Sequence, residues 1–198
     1  SELINKIFLS IAKLISLDIK DCSKAAESSK WEFVKQDSAD IEKLLLTHPD
    51  IKKGIDILYV DSLHTASHVK KEIYNFFEYL NKDAFIFFDD IDSSPYMVGQ
   101  RKDSASTEIA NRKIYKLLES IFRANMNQID FDIMRGSTGL GIFKKRSERG
   151  EKLNNPIFLK ERNNRLINKA IDLISLKKTY KHDSSSLSSF IINPEKFK

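Results

Sequence analysis

Acidic residues recur at one kind of position in the first ninety residues. Asp18 closes the apolar run 14–17, Asp37 follows the alternating segment 31–36, and Asp61 follows 55–60. Asp89, doubled by Asp90, follows 84–88. Each run reads as a β-strand, so each acid stands at a strand's carboxyl end. In an open parallel sheet those ends line the ligand crevice. Carboxylates there can accept hydrogen bonds from ribose hydroxyls or from an adenine amino group. One such Asp could equally be a turn or cap residue; four in series on successive strands point to a binding edge. His64, three residues after Asp61, is either a general base at that edge or the cap of the helix that follows.

The elements that must position these residues alternate. Residues 2–13 read as a helix, with Ile4, Ile7, Phe8 and Ile11 at helical spacing. A short helix is expected at 21–29 and another at 39–48, stopped by Pro49. Helix 65–80 would bury Val69, Ile73, Phe76, Phe77 and Leu80. The nearly continuous apolar run 84–88 suits a strand covered on both faces. Helix 107–124 carries Ile114, Leu117, Leu118, Ile121 and Phe122 on one side, and two strands near 129–135 and 140–145 flank a glycine turn. Four strand–helix alternations and a closing hairpin predict a doubly wound, mostly parallel α/β sheet with an antiparallel last strand. Residues 1–147 form the domain, and 148–198 read as a basic helical and Ser-rich tail or linker.

Other polar residues have plainer readings. His68 reads as helix surface, Asp92 as a loop acid, and Gln100, Arg101 and Lys102 as a solvated cluster. The stretch GSTGLG at 136–141 imitates a phosphate loop but lacks its Lys-Ser/Thr ending and lies between strands, so it reads as a hairpin turn. Trp31 and Phe33 read as core.

Composition narrows the function classes. No apolar run approaches the roughly 18 residues a membrane span needs. The start shows no signal-peptide pattern, and the single Cys22 excludes an internal disulfide framework and a cysteine zinc site. A cytoplasmic setting is the expectation. Residues 144–198 hold 14 Lys/Arg and 6 Asp/Glu, a charge of +8, while 1–143 hold 19 and 22, a charge of −3. The basic excess belongs to the tail, so the domain itself gives no footprint for a nucleic-acid substrate.

The stretches DILYVDSLHTASHVKKEI and AFIFFDDID resemble class I S-adenosylmethionine-dependent methyltransferases of the small-molecule O-methyltransferase type, close to the sugar and antibiotic methyltransferases and the cephalosporin-hydroxylase-like group. The resemblance covers about residues 1–146. It implies that Asp18, with Ile19 beside it, holds the cofactor ribose and that Asp37 and Ser38 contact the adenine. It makes Asp61, His64 and Asp89 the catalytic residues, with Asp61 also near the cofactor. By likeness to the metal-dependent members it makes Asp61, Asp89 and Asp90 ligands of magnesium or a similar divalent cation. Ser62 and Leu63 depart from the family's Asp-Gly-Asp-His pattern. The implied activity is methyl transfer from S-adenosylmethionine to a small hydroxylated acceptor, a sugar or glycan end. The alternative is a non-catalytic nucleotide-binding or interaction module on the same fold.

The family's glycine-rich loop joins its first strand to its first helix, and this sequence opens at that helix. The first strand, which normally lies mid-sheet, is therefore expected from upstream residues, from a rearrangement, or from pairing with another copy. A homo-oligomer or an additional domain fits the same expectation.

Overall fold

The structure, a computed structural model, describes residues 13–159. Six strands are present among them: β1 (Leu14–Asp18), β2 (Trp31–Lys35), β3 (Ile55–Val60), β4 (Leu80–Phe88), β5 (Ile129–Met134) and β6 (Leu140–Lys145). Three α-helices join them: α1 (Ile41–Thr47), α2 (Ala66–Phe76) and α3 (Ala105–Ala124). β1 and β2 pair in parallel as a two-stranded sheet. The other four form a second sheet in the order β3-β4-β6-β5, with β3 and β4 parallel and β6 antiparallel to both its neighbours. Neither β1 nor β2 pairs with β3, so the two sheets are separate.

Two hydrophobic clusters lie against the strands. Alternate strand residues point to them: Ile15, Leu17 and Val34 to the smaller, Val60, Ile86, Phe88, Phe143, Ile129 and Phe131 to the larger, and Leu58 to both. Val69 and Ile73 of α2 and Ile114, Leu117, Leu118 and Ile121 of α3 close the larger cluster. Ile41, Leu44, Ile51 and Phe76 close the smaller. The helices start where side chains satisfy their first amides: Asp40 caps α1, Thr65 caps α2 and Ser104 caps α3. Since His64 is not the cap, that alternative for it falls away.

The other strand faces carry Trp31 and Phe33, Ile57 and Tyr59, and Phe85 and Phe87, and no helix among the described residues covers them. Phe85 is 38% exposed, so the expectation that 84–88 is buried on both faces is not met here. Trp31 and Phe33 are half-buried on that same side rather than in the helix-facing core. The helix expected at 2–13 lies, but for Lys13, outside the described residues.

Three local readings are corrected. Residues 21–29 form turns, not a helix: Asp21 accepts from the Ser23 amide and Ser28 from the Lys30 amide, and such local bonds compete with helical ones. Pro49 ends α1 but also opens a 3₁₀ turn, Pro49–Lys53, where its missing N–H costs nothing. Helix 65–80 stops at Phe76, tightens into Phe77–Tyr79, and gives way to β4 already at Leu80.

That early start is held by Lys145. Its side chain is fully buried, and Nζ donates to the carbonyls of Phe77 and Leu80, each at 2.9 Å, and lies 4.4 Å from the Phe77 ring centroid. Burial pushes its pKa below the ordinary lysine value. The chain beyond β6 stays tied to the domain as far as it is described. Gly150 N–H donates to Glu78, Ile157 N–H to Ser120, and Asn154 exchanges bonds with Asn125. The tail helix expected at 159–178 and the Ser-rich stretch lie essentially outside the described residues.

Candidate active site

The parallel strands deliver their acids to one kind of place. Asp18 is the last residue of β1, Asp37 stands two residues past β2, Asp61 directly follows β3, and Asp89 directly follows β4. Asp18 accepts from the Lys20 amide at 2.7 Å and Asp37 from the Ala39 amide at 2.8 Å, so both shape tight turns and keep an oxygen for a ligand. Ile19 is 70% exposed at the same edge.

His64 gathers two of the predicted residues. Its Nε2 lies 3.3 Å from Asp61 Oδ1 and 3.4 Å from Asp90 Oδ2. Asp90 has a left-handed backbone, φ 57°, which swings its carboxylate back toward His64. Asp89 is engaged elsewhere. Its Oδ1 accepts from Thr138 Oγ1 at 3.0 Å and from the Asp90 amide at 2.8 Å, and its Oδ2 accepts from Tyr59 at 3.0 Å. Asp61, His64 and Asp90 therefore come together, while Asp89 braces the turn that carries Asp90.

The carboxylates leave their mark on two phenols. Burial, the hydrogen bond to Asp89, and the charges of Asp89, Asp61 and Asp90 push Tyr59 up to about 12. Burial and the charges of Asp90 and Asp89 also raise Tyr96, which sits in the short turn Ser94–Tyr96. Tyr96 belongs to the loop that follows β4 and the acids. The loop's apolar tip is open, with Met97 46% and Val98 88% exposed.

The hairpin turn between β5 and β6 supports this loop. Gly139 has φ +78°, and a Cβ on it would stand 2.6 Å from Asp92 Cβ and 2.8 Å from Asp92 N. Ile91 N–H donates to Gly139 and Asp92 N–H to Thr138. The stretch read as a phosphate-loop imitation is a hairpin turn, as expected, and it also clasps the end of β4. Asp92 lines a recess of about 150 Å³ with Arg112, Tyr115 and Arg135. Burial there opposes its ionisation, but hydrogen bonds from Ser94 and the charge of Arg135 outweigh that and hold it below the usual carboxylate range.

Sequence reasoning missed Tyr59, Thr138 and Glu72. Tyr59 and Thr138 reach Asp89 across pairing that no local pattern encodes. Glu72 is 3% exposed in α2, where the sequence offers only a charged residue on a helix. His68, read as helix surface, has a side chain only 15% exposed.

A hard divalent cation is held by one or two carboxylates, with waters and substrate oxygens completing its shell. Asp61 and Asp90, brought to one imidazole nitrogen, suit that need, and Asp89 keeps a lone pair on Oδ2 beside its bond from Tyr59. Among the described residues, no group of three or more His, Cys, Asp or Glu side chains is arranged to hold a metal.

Helices stacked on two sheets, with parallel strands whose carboxyl ends carry the acids and a closing antiparallel hairpin, fit the expected α/β methyltransferase fold. Comparison agrees with that fold: residues 12–91 match the family model described as a methyltransferase domain. Among solved structures, the S-adenosylhomocysteine-bound methyltransferase PaMTH1 of Podospora anserina is 13% identical, with a TM-score of 0.50. That match covers 69% of this chain and 62% of the other, and it speaks for the fold alone. The MycE methyltransferase of the mycinamycin biosynthetic pathway, in complex with Mg, S-adenosylhomocysteine and mycinamycin VI, is 17% identical over 73% of this chain and 38% of its own, with a TM-score of 0.47. A putative caffeoyl-CoA O-methyltransferase from Staphylococcus aureus is 12% identical over 73% and 81%, also at 0.47. The chain spans about two-fifths of the length of MycE. No curated protein matches it significantly. The expected methyltransferase fold is borne out by the family model over residues 12–91 and by the likeness to PaMTH1. No helix among the described residues is long and apolar enough to cross a membrane.

Proposed function

We propose that the protein transfers a methyl group from S-adenosylmethionine to a hydroxyl of a small acceptor, a sugar or glycan end, at the carboxyl ends of β3 and β4. The observation that supports this most is His64 held between Asp61 and Asp90 on an edge that also carries Asp18, Asp37 and Ser38. In this reading Asp18 accepts the ribose hydroxyls, Ile19 packs beside the ribose, and Asp37 and Ser38 meet the adenine.

The chemistry follows from the imidazole. An Nε2–H donated to Asp61, with the Asp90 carboxylate beside it, leaves Nδ1 as the nitrogen with a free lone pair. An acceptor hydroxyl bonded to Nδ1 attacks the sulfonium methyl in line with sulfur, so positioning is much of the catalysis. The new C–O bond forms as the S–C bond breaks. The electron pair stays on sulfur, giving S-adenosylhomocysteine. The hydroxyl proton passes to His64, and Asp61 and Asp90 stabilise the resulting imidazolium. Asp89 serves by fixing the backbone of Asp90. A magnesium ion, where one binds, would take Asp61 and Asp90 in place of the imidazole Nε2–H, with Asp89 as the third carboxylate, and its charge would lower the pKa of an acceptor hydroxyl.

Transfer of a labelled methyl group to a panel of hydroxylated sugars tests this. His64→Ala should lower kcat by about 10²–10⁴-fold, the usual worth of a general base. Parent-like turnover in that variant refutes the role of His64. Cofactor binding with no transfer to any acceptor would mark a nucleotide-binding module instead. Loss of activity in chelator, restored by magnesium, supports the cation; full activity in chelator removes it.

A further inference from the structure

Glu72 is, among the described residues, a buried carboxylate that the chemistry above does not use. It stands in α2, facing inward at 3% exposure. Its polar neighbours are two hydroxyls and an imidazole. Oε1 accepts from Ser38 Oγ at 2.5 Å, and Oε2 accepts from Ser62 Oγ at 2.7 Å. His68 Nε2 lies 3.6 Å from Oε1, 3.3 Å from Ser38 Oγ and 3.7 Å from Asp37 Oδ1.

The two serines belong to different loops. Ser38 lies in the turn after β2, beside Asp37, and Ser62 lies in the turn after β3, between Asp61 and His64. One turn of α2 further on, Asn75 Nδ2 donates to the Ala39 carbonyl at 2.7 Å and holds the first of these loops to the same helix. Burying a carboxylate is costly, and its hydrogen bonds at best offset that cost. Folding alone does not call for such a group. What it provides is directional: two charge-assisted bonds at opposite oxygens fix two loops relative to each other.

We infer that Glu72 is a positioning residue that clamps the loop after β2 to the loop after β3, so that the adenine-side contacts and the Asp61–His64–Asp90 group are set as one unit. The ligand half of this statement rests on the proposed function; the clamp itself does not. Cofactor seated at Asp37 and Ser38 then steadies Asp61 and His64 through Glu72, and loosening either loop loosens the other.

Hydrogen exchange on the full chain, parent against Ser62→Ala, Glu72→Gln and the double variant, tests the clamp without any ligand. Ser62→Ala should speed amide exchange in 36–40 as well as in 61–65, by on the order of tenfold, the loss of one hydrogen bond to a charged group. Glu72→Gln keeps the side chain's volume and should loosen both loops. Ser62→Ala should then add little in that background, because the two act through one contact. A change confined to 61–65 in Ser62→Ala, or additive effects of the two substitutions, overturns the clamp. Calorimetric titration with S-adenosylhomocysteine provides the second arm. Ser62→Ala should raise its Kd by on the order of tenfold although Ser62 is not an adenine contact. Coupled loops with unchanged Kd would overturn the role toward the cofactor. A parent that binds no S-adenosylhomocysteine would sink the proposed function, leaving the exchange arm to judge the clamp.

Discussion

Gly139→Ala should damage the site from a position that touches no substrate. Gly139 has φ +78°, and an alanine held there costs about 1–2 kcal/mol through its Cβ and carbonyl crowding. That Cβ would also stand 2.8 Å from the Asp92 backbone nitrogen, an atom that cannot rotate away. Relief requires the two turns to separate, which strains the bonds from Ile91 N–H to Gly139 and from Asp92 N–H to Thr138. At about 0.5–1.5 kcal/mol each, their loss brings the total to roughly 2–5 kcal/mol. Gly99 provides the control: its φ of +81° nearly equals that of Gly139, but a Cβ added there would meet nothing within 4 Å, so Gly99→Ala should show the backbone cost alone. Urea unfolding of both variants, compared at equal m, reads the difference. Gly139→Ala should be the less stable by about 1–3 kcal/mol. It should also lose turnover, because Thr138 would pull away from Asp89. Equal destabilisation by the two substitutions would refute the close approach of the turns.

Lys145→Met should destabilise the domain by about 1–3 kcal/mol in the same assay, since the Leu80 carbonyl loses its buried donor; an unchanged midpoint would show that the ammonium contributes nothing net. Because burial lowers the Lys145 pKa, the native state holds fewer protons than the unfolded chain between that lowered value and 10.5. The cost of the buried charge is thus fully present below the folded pKa and is relieved as pH rises toward 10.5, a gain that Lys145→Met should abolish in pH-dependent unfolding. Tyr59, raised to about 12, has the opposite sign: its contribution is fully present below pH 10 and lost on the way to about 12, so Tyr59→Phe should flatten stability across that window. Leu118→Ala, at a fully buried position of α3, should cost about 2–5 kcal/mol by calorimetry.

Much of the sheet was legible because each strand is bounded by what it lacks. The runs before Asp18, Asp37, Asp61 and Asp89 are apolar or alternating and stop on a polar turn, and β1 to β4 end at or within two residues of those acids. The closing hairpin was legible from its glycines. What was hidden depends on distant partners. β4 begins four residues before the apolar run that announces it, because Leu80 pairs with Ile55 while Asn81, Lys82 and Asp83 pass through an irregular stretch with Asp83 at φ 64°. The helix expected at 21–29 had adequate composition but lost to side-chain turns at Asp21 and Ser28. In the site, His64 was legible from its spacing to Asp61. The division of labour between Asp90, beside His64, and Asp89, braced by Thr138 and Tyr59, was not, since it depends on a left-handed residue and a hairpin fifty residues away.

The central claim, that this strand-end edge binds S-adenosylmethionine for methyl transfer, is tested most directly by calorimetric titration of S-adenosylhomocysteine into the full chain and its Asp18→Ala variant. Saturable binding by the parent is expected, with a Kd raised by on the order of tenfold or more when the Asp18 carboxylate is removed, the worth of a hydrogen bond to a charged group. Binding that is absent in the parent, or equally tight in Asp18→Ala, would contradict it.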